Sequence, residues 1–396
     1  MEQTLLASQP EAELSPKSRR RMLIALVGCH TINDFYGIII AIMLPAIRAS
    51  FGLSYSAIAI LPFLAQATSA ILQPTLGYLA DRRGVRRLFM ALGFVAITLA
   101  MLGLGQSQSY FEVLAAAVFL GIGASTYHPQ SATLLRFYFD RQRRGFAQGV
   151  HGIGNAAGFA LSPLVIGFLL LHTDWHQAAT FVAFPALVAA VVALVVLREP
   201  KTRGSRGLLA GITRPLVLLT VVNGLTLATS SGFTTWLPSY YVLHGFSLSS
   251  SAWFTAAMSA AAFVAQPLGG TLSDRIGRRN LIVIALIGAA ASLVLFLIAP
   301  SIVWAIGLSI VINFWMSLMP PVMMVYASEL ASGERTGTAV GLVWGLATTV
   351  SAVSLPVTGR IIDLAGGQIA PVYATMAGVA VVAALVALRL PQRRAA

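Results

Sequence analysis

Long apolar stretches recur along this chain and constrain its fold more than any other feature. A membrane-spanning helix needs about 20 apolar residues. Hydrophobic residues make up 57% of the sequence and charged residues only 10%, against about 25% charged in ordinary soluble domains. We therefore expect an all-α membrane protein with twelve transmembrane helices. Their predicted cores are 22–46, 55–79, 88–106, 110–135, 145–171, 177–197, 214–242, 249–272, 280–299, 302–329, 338–362 and 369–388.

The positive charges show which side of the membrane each connection occupies. If the tails and the even-numbered connections share one side, all of the 26 Lys and Arg residues except Arg48 and Arg360 lie there. Lys and Arg accumulate on the cytoplasmic side of membrane proteins, so both termini are expected in the cytoplasm. The expected location is a bacterial-type inner membrane. The net charge of +13 then reflects topology, and no nucleic-acid partner is expected.

One loop segment occurs twice in the chain. The sequence "QPTLGYLADRRGVRR" at 73–87 returns as "QPLGGTLSDRIGRRN" at 266–280, an offset of nearly half the chain. Such a repeat predicts two pseudo-symmetric six-helix halves, an architecture typical of transporters. The predicted division is an N-terminal tail at 1–21, a first half at 22–197, a cytoplasmic linker at 198–213, a second half at 214–388 and a C-terminal tail at 389–396.

The repeated loop resembles the signature loop of the major facilitator superfamily. In both copies a Gly is followed by an Asp-Arg pair, a second Gly and further arginines. The resemblance implies a cytoplasmic gate that locks and releases during alternating access. Alternatively, the arginines only fix topology and anchor helix ends at the headgroups. The predicted gate residues are Gly77, Asp81, Arg82, Gly84, Arg86, Gly270, Asp274, Arg275, Gly277 and Arg279.

The fifth predicted span, "GVHGIGNAAGFALSPLVIG", is similar to the signature of drug:proton antiporters in this superfamily. Gly149, Gly158, Pro163 and Gly167 carry the match, and Ser162 stands where that signature has a glycine. The resemblance implies export. Ordinary packing of small residues between helices would give a similar pattern.

A narrower resemblance covers mainly the first half. The segments "CHTINDFYG" at 29–37, "GIGASTYHPQSATLL" at 121–135 and "RRGFAQGVHGIGNAAG" at 143–158 resemble the fosmidomycin-resistance type of exporter. The resemblance implies that the substrate is a small organic molecule such as a drug or a metabolite.

Polar residues interrupt the first predicted span. His30, Asn33, Asp34 and Gly37 are spaced i, i+3, i+4 and i+7 and share one helix face. Ionisable residues inside a membrane span are functional candidates by default. Asp34 is the acidic residue that we place deepest in a span, so it is the predicted proton carrier. The alternative is a structural polar knot that satisfies a neighbouring helix.

Further polar residues are candidates for the same central cavity. His128 and His151 are predicted to assist Asp34 and His30 in proton coupling, because histidine titrates near physiological pH. A metal site is not expected, because only His30 and Asp34 show local ligand spacing. The predicted lining of the substrate cavity is Asn33, Tyr127, Gln130, Asn155, Asn313 and Trp344.

The predicted function follows from these features together. Neither a nucleotide-binding loop nor another enzyme motif is found in the sequence, so transport is expected to use an ion gradient without a cofactor. We expect a carrier that exports a small organic molecule by proton antiport, acting as a monomer in the lipid bilayer. Uptake of organic acids or sugars by proton symport or uniport is the first alternative. A membrane sensor that does not transport is the second.

Overall fold

The computed structural model describes residues 14–140, 143–199, 213–330 and 336–392, without the side chains of Asp81, Arg144 and residues 336–342. These ranges form twelve helices long and apolar enough to cross a membrane. They are α1 Pro16–Ser50, α2 Tyr55–Ala80, α3 Arg86–Gly105, α4 Tyr110–Tyr138, α5 Phe146–Leu169, α6 Trp175–Val195, α7 Arg214–Leu243, α8 Leu248–Ile276, α9 Arg278–Leu297, α10 Ile302–Leu330, α11 Val343–Leu364 and α12 Ala370–Ala387.

The predicted count of twelve spans is confirmed, and each predicted core overlaps the corresponding helix. The protein is therefore a multi-pass membrane protein. Most of the predicted linker at 198–213 and of both tails lies outside the described residues, and the division of the chain at those boundaries stays a prediction.

Hydroxyl side chains begin several of these helices. Ser109 accepts a hydrogen bond from the backbone N–H of Glu112 at 3.4 Å, and Ser247 accepts one from Ser250 at 3.1 Å. Both serines follow short polar connections, where a side-chain oxygen satisfies an N–H that has no partner within the helix. The helix starts of α4 and α8 are thus encoded locally.

The two halves repeat the same packing. In the first half α1 packs against α5 and α6, α2 against α4, and α3 against α4 and α6. In the second half α7 packs against α11 and α12, α8 against α10, and α9 against α10 and α12, which is the same pattern moved by six helices. Contacts between the halves are made mainly by α2 with α11 and by α5 with α8. This arrangement confirms two pseudo-symmetric six-helix halves.

Several contacts between the halves lie at the end opposite the termini, here called the outer end. There the carboxylate of Asp363 on α11 accepts hydrogen bonds from the backbone N–H groups of Tyr55 and Ser56, both at 2.8 Å. The Ser249 hydroxyl on α8 donates to the carbonyl of Gly167 on α5 at 2.6 Å. The outer end is therefore closed by polar contacts from both pairs of interface helices.

Helix α1 is interrupted near its middle. Its first segment ends at Phe35 and its second begins at Ile39. The backbone N–H of Gly37 bonds to the carbonyl of Asp34 at 3.1 Å, which forms a tight turn. A Cβ at Gly37 would lie 3.3 Å from the Phe159 ring, so a larger residue is poorly accommodated. The turn places Asp34 at the end of a helical segment, in the interior of the protein.

Candidate functional site

The carboxylate of Asp34 is the centre of a buried polar cluster on α1, α4 and α5. Its Oδ1 accepts a hydrogen bond from Nδ2 of Asn33 at 2.7 Å. Its Oδ2 accepts one from Nδ2 of Asn155 at 2.5 Å and lies 3.1 Å from Nε2 of His30. Nε2 of His128 lies 3.6 Å from Oδ1, an ion-pair distance. These five residues are called the Asp34 cluster below.

The two ring nitrogens of His30 have different partners. Nδ1 lies 2.8 Å from the backbone carbonyl of His151, which can only accept, so Nδ1 carries a proton. A hydrogen bond between Nε2 and Asp34 then requires one further proton, carried either by the imidazole or by the carboxyl group. His30 and Asp34 are only 6% and 5% exposed. Both groups are thus buried, and a hydrogen bond between them needs one proton that either group can carry.

His128 contacts the buried pair but is itself half-exposed. Its side chain is 48% exposed, whereas that of Asp34 is 6% exposed. Its ring packs edge-on against that of His30, with the centroids 5.5 Å apart. The predicted role of His128 in proton coupling stays a prediction.

His151 lies beside the cluster and positions His30. The Tyr127 hydroxyl is 2.6 Å from the carbonyl of Leu26, which only accepts, so the hydroxyl hydrogen is directed there. Nε2 of His151 lies 2.8 Å from the same hydroxyl and must therefore donate to it. The His151 ring stacks on His30 with centroids 4.2 Å apart. The predicted role of His151 in proton coupling stays a prediction.

A hydrogen bond between the halves reaches the cluster directly. Nε2 of Gln266 on α8 donates to Oδ1 of Asn155 at 3.0 Å, and the amide of Asn155 donates to Asp34. Gln266 begins the second copy of the repeated loop segment, in the position of Gln73 in the first copy. Because its contact to Asn155 is made across two helices, no local spacing could reveal it.

Among the other predicted cavity residues, some have buried polar atoms without hydrogen-bond partners in the described part of the chain, and one bonds to a neighbouring helix. Gln130 is fully buried, and within the described residues neither of its amide atoms has a hydrogen-bond partner. Nε1 of Trp344 is likewise buried without one. Asn313 instead donates to the carbonyl of Met258 at 2.9 Å, a contact between α10 and α8. Their part in substrate binding stays a prediction.

The predicted gate arginines make contacts within each half. Arg86 is fully buried and donates to Glu199 at 2.9 Å. Arg279 donates to Gln392 at 2.7 Å, which is the equivalent contact at the repeat offset. In the second half Arg278, which we did not predict, also pairs with Asp274 at 2.5 Å. These bonds join the start of one helix to the end of another.

The remaining gate residues occupy the ends of α2 and α8. Gly84 and Gly277 have positive φ angles of 65° and 91°, which suits the turns that follow these helices. Arg82 and Arg275 are exposed, and the side chain of Asp81 lies outside the described part of the structure. Pro129 would be 3.0 Å from a Cβ at Gly77, whereas Gly270 has open space. Gating by these residues stays a prediction.

The glycines of α5 serve different contacts. A Cβ at Gly158 would lie 2.5 Å from the carbonyl of Thr31, so α5 approaches α1 closely beside Asp34. Gly167 lies against α8 at the outer end, and Gly149 has open space. Pro163 lies within the helix. The close approach at Gly158 brings Asn155, one turn earlier, within reach of the carboxylate.

Three residues of the cluster have ligand atoms close enough to share a metal ion. The atoms of His30, Asp34 and His128 all lie within 4.8 Å of one another. The sequence showed only the first two as neighbours, because His128 comes from a different helix.

Comparison with known proteins gives consistent matches over the chain. The model of the Major Facilitator Superfamily matches residues 26–343 and 219–396. YfnC of Bacillus subtilis (strain 168), described as an uncharacterised MFS-type transporter, is 27% identical over 364 residues, covering 87% of each chain. The fosmidomycin resistance protein of Escherichia coli (strain K12) is 28% identical over 360 residues, covering 86% of each. The crystal structure of a D-xylose-proton symporter has the same fold, with a TM-score of 0.77 at 16% identity over 94% of this chain and 98% of that one.

Proposed function

Because this chain belongs to the Major Facilitator Superfamily of membrane transporters, we propose that it exports a small organic molecule in exchange for protons. It works by alternating access in a bacterial cytoplasmic membrane, with both termini in the cytoplasm. It acts as a monomer, and its substrate is a drug or a metabolite.

The observation that carries this proposal is the buried contact in the interior of α1 between Nε2 of His30 and Oδ2 of Asp34, which lie 3.1 Å apart. Both side chains are buried, and the pair can release or accept a proton only through a neighbouring group or a change of conformation. Half-exposed His128 supplies the neighbouring group. Ionisable residues inside a membrane span are functional-site candidates, and this buried pair supports the proposed proton coupling.

The contact from Gln266 to Asn155 links proton occupancy to the movement of the halves. Asn155 holds Asp34 on one side and accepts from Gln266 of the other half on the opposite side. Separation of the halves at this level breaks the Gln266 bond and changes what Asn155 can offer to the carboxylate. Protonation and conformation therefore influence one another, as linkage requires.

The direction of transport is supported by two similarities. The fosmidomycin resistance protein is a relative over most of the chain. The glycines and proline of α5 resemble the antiporter signature. The bias of Lys and Arg to one side supports the proposal that the termini lie in the cytoplasm. Export of a cytoplasmic substrate against entering protons accounts for both.

The proposal is tested with purified protein in proteoliposomes that contain a pH-sensitive dye and are supplied with fosmidomycin as the first candidate substrate. We expect wild type to move protons against the substrate. We expect Asp34→Asn to lose proton-driven transport by at least tenfold while it retains exchange of labelled for unlabelled substrate.

Asp140→Asn is the matched control, because Asp140 is an exposed carboxylate that pairs with Arg19 away from the cluster. Wild-type coupling in Asp34→Asn would remove Asp34 from the mechanism. Movement of substrate and protons in the same direction would replace antiport by symport. Panels of other antibiotics, sugars and organic acids extend the assay if fosmidomycin is not transported.

A further inference from the structure

We propose that His30, Asp34 and His128 form a binding site for a divalent transition-metal ion such as Zn²⁺ or Co²⁺. Nε2 of His30 lies 3.1 Å from Oδ2 of Asp34, and Nε2 of His128 lies 3.6 Å from Oδ1. Two ligands bound at about 2.0–2.2 Å to one tetrahedral ion are roughly 3.4 Å apart. Both separations are close to that value, and the three ligand atoms lie within 4.8 Å of one another, so the side chains have to close in slightly to share one ion.

Groups around the three ligands hold them in the orientation that a metal needs. Nδ1 of His30 donates to the carbonyl of His151 at 2.8 Å, which directs Nε2 towards Asp34. Asn155 donates to the carboxylate at 2.5 Å. In metal sites, ligating histidines commonly donate their second N–H to a carbonyl, and ligating carboxylates are themselves hydrogen-bonded. The cluster has both features.

A buried polar atom beside the three ligands has no partner of its own in the described part of the chain. Within the described residues, Oδ1 of Asn33 is buried without a hydrogen-bond partner. It offers an acceptor for a metal-bound water, while Nδ2 of the same side chain bonds to Asp34. The third ligand, His128, has a half-exposed side chain, whereas the other two are buried.

The donor set selects the class of ion. Two imidazole nitrogens and one carboxylate suit Zn²⁺, Co²⁺, Ni²⁺ and Cu²⁺, whereas Mg²⁺ and Ca²⁺ require more oxygen ligands. An ion bound here takes the place of the proton that His30 and Asp34 share. Competition between metal and proton therefore rests on the proposed function, whereas binding of the ion does not.

Binding is measured by titrating the purified, tag-free protein in detergent with CoCl₂ and following the visible d–d absorption of Co²⁺. We expect a saturable band of tetrahedral or five-coordinate character that Zn²⁺ abolishes by competition. We expect His128→Ala and Asp34→Asn to lose the band. Asn155→Ala should retain it with affinity reduced by about 10–100-fold, because an orienting partner is lost.

His244→Ala is the control, because His244 is an exposed histidine at the outer end of α7. It should bind Co²⁺ as wild type does. Thermal unfolding gives a second readout: Zn²⁺ should raise the Tm of wild type and of His244→Ala but not that of His128→Ala. Absence of a saturable band in wild type, or an unchanged band in His128→Ala, would overturn the site. Either result leaves the proteoliposome test of Asp34 unaffected.

Discussion

A single carboxylate inside a membrane helix has to be stabilised by its neighbours, and Asp34 shows how this is achieved. An Asp at the centre of a span costs about 2.5–3.5 kcal/mol on insertion scales. Hydrogen bonds to a charged group contribute about 1.5–3 kcal/mol each. The N–H groups of Asn33 and Asn155 are therefore sufficient to offset that cost.

Tyr127→Phe tests the second layer of this arrangement. The substitution removes the hydroxyl that donates to Leu26 and accepts from His151. A buried N–H of His151 is then left without its acceptor, which costs about 1–3 kcal/mol. We expect a lower free energy of unfolding in detergent, measured by circular dichroism during denaturation.

Tyr78→Phe serves as the control for Tyr127→Phe, because the Tyr78 side chain is 46% exposed and its hydroxyl can bond to water. Equal stability of the two variants would show that the Tyr127 hydroxyl does not support His151.

At the level of residues, only local relations were predictable from the sequence. Helical spacing placed His30 and Asp34 on one face, and the structure shows them in contact. The approach of His128 and Asn155 depends on how α4 and α5 pack against α1, which spacing within one helix does not determine. The same limit applies to Gln266, which comes from the other half of the molecule.

Among the elements, α5 depends on small residues where it crosses α1. A Cβ at Gly158 would lie 2.5 Å from the Thr31 carbonyl and 2.8 Å from the backbone nitrogen of Phe35. Backbone atoms cannot move aside as a flexible side chain can, so Gly158→Ala has to push the two helices apart. Forced overpacking of this kind costs about 1–3 kcal/mol.

We therefore expect Gly158→Ala to lower the Tm in detergent and to weaken proton coupling, because Asn155 moves away from Asp34. Gly149→Ala is the matched control on the same helix, since a Cβ there meets no heavy atom within 4 Å. A Tm for Gly158→Ala equal to that of the control would contradict the close crossing.

Element boundaries were predictable because apolar length and polar connections mark them directly. The interruptions within spans are marked by local residue types and not by hydropathy. The turn after Phe35 in α1 follows Asn33 and Asp34, and the break at Leu318 in α10 shortly precedes two prolines. Tertiary packing also constrains the first turn, because a Cβ at Gly37 would lie 3.3 Å from the Phe159 ring.

For the whole molecule, the contact of Asp363 with α2 determines how firmly the outer end is closed. Its carboxylate accepts from the backbone N–H groups of Tyr55 and Ser56 and from the Ser56 hydroxyl. Asp363→Asn removes the charge and replaces one acceptor oxygen with a donor. A loss of about 1.4 kcal/mol from this contact shifts the ratio of outward-closed to outward-open molecules tenfold.

This shift is measured by pulsed electron resonance between spin labels at Leu171 and Leu243, which lie at the outer ends of α5 and α7. Cys29, the only cysteine, is replaced by Ala in all samples. We expect a larger fraction of long distances for Asp363→Asn. Asp174→Asn should resemble wild type, because Asp174 caps a helix within its own half. Identical distributions for both variants would argue against Asp363 as a latch.

The internal repeat was sufficient to predict two halves, but it could not show how they meet. Asp363 lies near the end of a span, where acidic residues are common and do not indicate a functional contact. Its partner Tyr55 is separated from it by 308 positions in the sequence. Contacts between residues so far apart cannot be predicted from the spacing of residues within one segment.

The turn between the two segments of α1 has a mechanical consequence. The segment before it packs on α5 and α6 of its own half, whereas the segment after it, Ile39–Ser50, also packs on α7 and α8 of the opposite half. When the halves rotate apart at the outer end, α1 has to release those contacts or bend at the turn. In both cases the backbone immediately after Asp34 is deformed. Movement of the halves therefore acts on the short segment next to this carboxylate.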